Sequence, residues 1–148
     1  MMKKIAFILL FLVFTLSSHA QHVTKFEELQ LKMIAEPRPV VVKIYTQWCS
    51  VCKLQDKKIQ KDERLKNIFN GSVYYLELDA ESRKTITFGN KVYQFIPNGT
   101  GGVNKLAAEL CLSQSYPCWV FLAPDYSVIQ TYSGLLKPEQ LAHIISKL

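Results

Sequence analysis

The apolar positions of this chain change period several times, and each change marks an element. Phe26, Leu29, Met33 and Ile34 recur at helical spacing with Glu27, Glu28 and Lys32 between them. Thr24 stands as an N-cap for that helix and Pro37 ends it. Residues 40–46 form a β-branched, apolar run, as a central strand buried on both faces requires. The pattern then predicts a helix over 50–62, with Leu54, Lys57, Lys58 and Ile59 near its middle. A further segment, 64–69, continues or kinks it before Gly71 breaks the period. Residues 73–78 read as a second strand closing with Asp79. Two short apolar-alternating runs, 85–88 and 92–95, flank Gly89-Asn90-Lys91, which is a hairpin signal. The segment 98–102 is a loop, and 103–112 a helix with Leu106, Ala107, Leu110 and Cys111 on its apolar side. Tyr116-Pro117 opens a strand over 118–122, Pro124-Asp125 turns the chain, and 128–132 returns. After Gly134 a last helix covers 138–148, with Pro138 in its first turn.

One segment stands outside this alternation. Lys3 and Lys4 precede an apolar run over 5–16, and Ser18-His19-Ala20 offers small residues beyond it, the layout of a secretory signal. The run is shorter than the roughly 20 residues that span a bilayer as a helix. The expectation is cleavage after Ala20, a single mature domain over 21–148 without a stable membrane anchor, and a periplasmic or secreted location. Net charge is +6, or +4 without Lys3 and Lys4. The lysines at 53, 57, 58, 61 and 66 read as the solvated face of a helix. Without interleaved aromatics they do not suggest nucleic acid as a partner.

The candidate chemistry is carried by cysteines. Cys49 and Cys52 follow the central strand directly and open the next helix. Two thiols so placed can close a disulfide across the first turn. Unpaired N–H groups and the positive end of the helix dipole there stabilise a thiolate, the attacking species of disulfide exchange. A three-residue separation contributes little loop-closure entropy, so a purely structural disulfide is the weaker reading. Zinc is disfavoured because Cys111 and Cys118 have the wrong spacing and His19, His22 and His143 are scattered. No His follows Cys52, which excludes the haem-attachment form. No nucleotide, flavin or metal cofactor is expected. Cys111 and Cys118 are expected as small buried core residues. A Cys111–Cys118 pair and a third redox thiol at Cys118 are the alternatives.

Strand, C-x-x-C helix, strand, hairpin and helix, X-Pro, two strands and a helix: this order resembles the thioredoxin fold over nearly all of residues 21–148. Trp48 before Cys49, Lys53 after Cys52, and Tyr116-Pro117 ahead of the penultimate strand match the family residue by residue. In its exported, hairpin-inserted form the chain resembles the secreted thioredoxin-like proteins of Bacteroidetes. It is also similar to the C-terminal domain of thiol–disulfide interchange proteins. The resemblance implies an α/β fold whose central mixed sheet is flanked by helices, with a hairpin and helix inserted before a cis-proline strand. It implies a thiol–disulfide oxidoreductase with Cys49 as nucleophile and Cys52 as resolving thiol. Trp48, Tyr116 and Pro117 then bind substrate. Its partners would be disulfide-containing exported proteins and a membrane electron donor, with the protein acting as a reductase. A disulfide isomerase or oxidant, and a redox-inert binding module, are the rival readings. Three departures from the family stand out. Lys43 occupies the position where thioredoxins bury an acid, and is expected to lie at a strand edge and reach solvent. Were it buried instead, its ammonium would favour thiolates and a stronger oxidant. Ser50-Val51 is an unfamiliar pair between the cysteines, and residues 21–23 leave little room for an opening strand.

Overall fold

The structure, a computed structural model, describes residues 22–148; the signal segment expected over 1–20 lies outside the described residues. In chain order the elements are α1 (Phe26–Ala35), β1 (Val40–Tyr45), α2 (Ser50–Lys61), α3 (Glu63–Gly71), β2 (Tyr74–Asp79), β3 (Ile86–Phe88), β4 (Lys91–Tyr93), β5 (Phe95–Asn98), β6 (Gly101–Asn104), α4 (Lys105–Leu110), β7 (Cys118–Leu122), β8 (Val128–Ser133) and α5 (Pro138–Ile145). Four strands form the main sheet in the order β2-β1-β7-β8. β1 runs parallel to β2 and antiparallel to β7, and β7 antiparallel to β8.

The continuous apolar runs are the reason β1 and β7 lie inside. A strand whose two faces are both apolar is stable only when both are covered. Val40, Val42 and Ile44 point to one face beside Leu76, Cys118 and Val120. There α1, the β3–β4 hairpin and α4 close over them through Leu29, Met33, Phe88 and Leu106. Val41, Tyr75, Trp119 and Phe121 point to the other. There α2, α3 and α5 supply Ile59, Leu65, Phe69 and Leu141. The result is a three-layer α/β sandwich with one core on each side of the sheet.

Most expected elements are present, with boundaries moved by capping. Asp62 separates α2 from α3: it is extended (φ −103°, ψ 100°), and its Oδ1 accepts the Leu65 N–H at 2.8 Å. The expected helix over 103–112 begins later, because Asn104 caps it. The Asn104 Oδ1 accepts the Leu106 N–H, while its Nδ2 donates to the carbonyls of Ser82 and Lys84. Val103 and Asn104 instead belong to β6. The loop expected over 98–102 is the tip of a second hairpin, β5–β6, in which Asn98 pairs with Gly101. The first hairpin is as expected, and Gly89 and Asn90 both take positive φ (55° and 62°), which matches the twist of a two-residue turn. Thr24 does not cap α1. Lys25 holds the N-cap position without a side-chain bond, and the Thr24 N–H donates to the Tyr75 carbonyl at 2.7 Å. That bond on the outer edge of β2 stands where an opening strand would run; no strand precedes β1 among the described residues. Ile34 is exposed rather than core-facing. No helix among the described residues is long and apolar enough to cross a membrane.

Cys111 and Cys118 are bonded to each other, which corrects the expectation of free core thiols. The C-terminal cap of α4 brings Cys111 over the face of the sheet that Cys118 enters, and both are fully buried. Sequence spacing alone could not bring the two Cα atoms to 6.3 Å; the fold of the 111–118 loop does.

Two stability predictions follow from this packing. Replacing Cys111 and Cys118 together by Ala should lower the unfolding free energy by about 2–3 kcal/mol, the loop-closure value for so short a ring, measured by urea titration. At Gly102 (φ +154°) an added Cβ would run into the Phe95 ring and the Ile96 carbonyl, whereas at Gly71 it meets open space. Gly102→Ala should therefore cost about 2 kcal/mol or more, and Gly71→Ala less than about 0.5 kcal/mol, in the same titration.

Candidate functional site

β1 ends at Tyr45, and residues 46–48 turn the chain into α2. Cys49 is the N-cap of that helix (φ −72°, ψ 102°), an extended residue whose side chain faces the unpaired N–H groups of the first turn. Its Sγ accepts the Cys52 N–H at 3.1 Å, and its own N–H donates to the Thr46 carbonyl at 3.2 Å. The two cysteines form a disulfide with Cα atoms 5.3 Å apart. Cys49 is 6% exposed and Cys52 2%, so the first sulfur is the more accessible of a largely buried pair. No acidic residue occupies the first turn of α2, which leaves its positive end uncompensated beside Cys49.

Strand register brings the second component to the same end of the sheet. Cys118 pairs with Ile44, so Tyr116 and Pro117 lie level with the exit of β1, where residues 46–49 cross into α2. The Tyr116–Pro117 peptide is cis, and the Pro117 carbonyl accepts the Gly134 N–H at 2.7 Å. Tyr116 is half-buried; burial, and then the charges of Glu81 and Asp79, push its phenol above the ordinary range. Trp48 is 68% exposed, and its Nε1 donates to Glu81 Oε1 at 3.1 Å. Trp48 and Tyr116 thus share one carboxylate neighbour, Glu81. Exposed Val51 adds an apolar patch on the helix side.

Two residues carry more of this site than their sequence positions suggest. Gln55, fully buried, donates from Nε2 to the Leu136 carbonyl (3.0 Å) and accepts the Leu136 N–H on Oε1 (2.8 Å). This paired bond fixes the cysteine helix to the chain entering α5. A buried Gln at the i+3 position from Cys52 was a signal that periodicity treats as an interruption rather than a link.

Lys43 is the second. It lies at 1% exposure on β1, on the face that α2 covers, and not at a strand edge reaching solvent. The expectation fails because β1 is central: Glu77 flanks Lys43 on β2 and Trp119 flanks it on β7. The Nζ forms ion pairs with Glu77 Oε1 at 2.7 Å and with Asp56 of α2, and lies 5.4 Å from the Tyr45 ring centre. A buried ammonium is tolerable only when paired, and here two carboxylates surround it. Tyr45 feels the same group: burial first, and then Asp79, Glu77 and Asp56, raise its phenol, with a Gln47 hydrogen bond opposing. The hydroxyl of Thr46 and the indole N–H of Trp119 are buried without a hydrogen-bond partner. No group of three or more His, Cys, Asp or Glu among the described residues is placed to hold a metal ion.

No protein-family model and no curated protein matches this sequence. Solved structures do. The germline-specific thioredoxin Deadhead of Drosophila melanogaster superposes with a TM-score of 0.57 at 16% identity, over 87% of this chain and 99% of its own. A chloroplastic thioredoxin z gives 0.53 at 16% identity, over 85% and 91%. The thioredoxin of Fasciola hepatica gives 0.52 at 20% identity, over 80% and 88%. At such identities the likeness carries architecture alone, and with the sheet order, the cysteine helix and the X-Pro strand it establishes that this chain has the thioredoxin fold.

Proposed function

We propose that the protein is a thiol–disulfide oxidoreductase working through Cys49 and Cys52. The observation that carries this reading is the Cys49 sulfur at the N-cap of α2, accepting a backbone N–H and facing the positive end of the helix. That environment favours a thiolate. In the reducing direction the Cys49 thiolate attacks a substrate disulfide. One substrate sulfur leaves and the other is held in a mixed disulfide. Cys52 then attacks Cys49, closing the internal disulfide and releasing the second sulfur. Two electrons pass to the substrate and the protein ends oxidised. In this reading Pro117 and the backbone of Tyr116 hold the substrate chain beside the sulfurs, with the exposed Trp48 as an apolar contact next to Cys49.

The direction we favour is reductive. A lone buried ammonium under the cysteine helix would favour an oxidant, but Asp56 and Glu77 neutralise Lys43 and remove that argument. Export completes the proposal. The segment 1–20 has the charge and apolar pattern of a signal, and a second disulfide, Cys111–Cys118, suits an oxidising compartment. Disulfide-containing exported proteins would then be the substrates and a membrane reductant the electron source, as for the secreted Bacteroidetes-type proteins the sequence resembles.

The mature protein should accelerate insulin reduction by dithiothreitol. Cys49→Ser should reduce that rate by at least about 10³-fold, whereas Cys52→Ser should accumulate a mixed disulfide visible on a non-reducing gel. Unchanged activity in Cys49→Ser would overturn the proposal. Equilibration in thiol buffers should place the Cys49–Cys52 couple near or below about −250 mV; a value above about −180 mV would reverse the direction.

A further inference from the structure

The main sheet has two edges, and they are guarded differently. An edge strand offers unpaired N–H and C=O groups to any chain able to pair with them, and charges or proline on the strand normally discourage this. β2, at one edge, carries Glu77 and Asp79, and the Thr24 N–H already occupies its Tyr75 carbonyl. β8, at the other, runs Val128-Ile129-Gln130-Thr131-Tyr132-Ser133 with neither a charge nor a proline. All six residues are exposed, Val128 and Ile129 by 53% and 51%, so neither face of the strand is covered. A register shift lies at its start, opposite Phe121 and Leu122, and from Gln130 onward the ladder is regular. Gly134 donates to the Pro117 carbonyl at 2.7 Å, so Gly134, and with it Tyr132 and Gln130, turn their backbone groups towards β7. Alternation then points the N–H and C=O of Thr131 and Ser133 outwards. Among the described residues no other strand or loop bonds to those groups.

We propose that β8 is an interface between two copies of this chain, which pair their β8 edges antiparallel about a two-fold axis at Thr131. The two four-stranded sheets then join into one continuous sheet. The N–H and C=O of Thr131 meet those of its own image reciprocally, as directly opposed hydrogen-bonded residues of antiparallel strands do. Thr131 faces Thr131, a favourable cross-strand pair. Ser133 stands opposite Ile129 and Gln130 opposite Tyr132, so every neighbour across the joint is uncharged. Charge at the flanks selects this occupant and this direction. Asp125, six residues before Thr131, and Lys137, six residues after it, are both exposed. Neither joins an ion pair among the described residues. Antiparallel self-pairing brings the Asp125 end of one copy to the Lys137 end of the other, whereas parallel pairing sets like charges together. A joint made of one strand pair lies below the roughly 1,200 Å² of a standard stable interface, so the association is weak and depends on concentration. The cysteines take no part in it.

Sedimentation velocity of the mature protein, with both disulfides closed, should show a monomer at about 5 µM and a growing dimer fraction up to about 500 µM. Thr131→Lys sets two ammonium groups opposite each other at the axis and should raise the dissociation constant at least about tenfold. Thr131→Glu should do the same with two carboxylates. An equimolar mixture of the two variants should regain the wild-type dimer, which a damaged fold could not do. Thr131 is exposed, so each variant should keep the wild-type urea midpoint. Should both variants fail to fold, the wild type alone decides: exchange of the Thr131 amide hydrogen should slow at least about tenfold between the dilute and the concentrated sample. A wild type that stays monomeric at about 500 µM overturns the proposal. So does a dimer that Thr131→Lys leaves intact, which places the contact elsewhere, and so does a lysine–glutamate mixture that remains monomeric. An exchange rate at Thr131 independent of concentration has the same meaning.

Discussion

The burial of β1 on both faces and its pairing along both edges is the constraint on which everything else depends. Because β1 is central, its C-terminal exit opens at the middle of the sheet edge, between β2 and β7. The residue that starts the next helix is thereby delivered beside the strand that Pro117 precedes. Neither the Cys49 N-cap nor the Tyr116–Pro117 segment would meet the other from a peripheral strand. The apolar drive to cover Val40, Val41, Val42 and Ile44 sets the geometry, and the sulfur chemistry uses it.

The same centrality explains the cost carried by Lys43. A charged side chain in a doubly covered strand must find counter-charges within the core. Glu77 comes from the register of β1 on β2, and Asp56 from the docking of α2. Gln55 belongs to the same docking: its paired bond with Leu136 fixes the depth and rotation of the helix that places Asp56. Polar groups normally expensive to bury thus hold the cysteine helix in one orientation, which apolar packing through Ile59 does not fix by itself.

The second disulfide and the two hairpins lie on the opposite side of the sheet from α2, around the segment that leads into Pro117. Asn104 ties β6 and α4 to the loop after β2 through both ends of its side chain. Cys111–Cys118 then tethers α4 to β7. The chain between them, carrying Tyr116 and Pro117, is therefore restrained at both ends, and its approach to the sulfurs is set by a part of the core remote from the cysteine helix.

Sequence by itself determined the elements whose signals are local. These are the apolar runs of β1 and β7, the hairpin at Gly89-Asn90, the helix opening at Cys49, and the X-Pro ahead of β7. The order of those elements, through its resemblance to the thioredoxin fold, implied the architecture. What only the tertiary structure decided are relations between distant positions: the Cys111–Cys118 bond, the ion pairs of Lys43 with Asp56 and Glu77, and the Gln55–Leu136 link. Thr24 and Asn104 moved for the same reason, since a bond to β2 and a cap shared with residues 82–84 outweighed the local pattern. Periodicity reports which face a side chain takes. It does not report what stands opposite, and for a lysine, a glutamine or a cysteine the partner opposite decides whether the side chain seeks water, binds the core, or closes a bond.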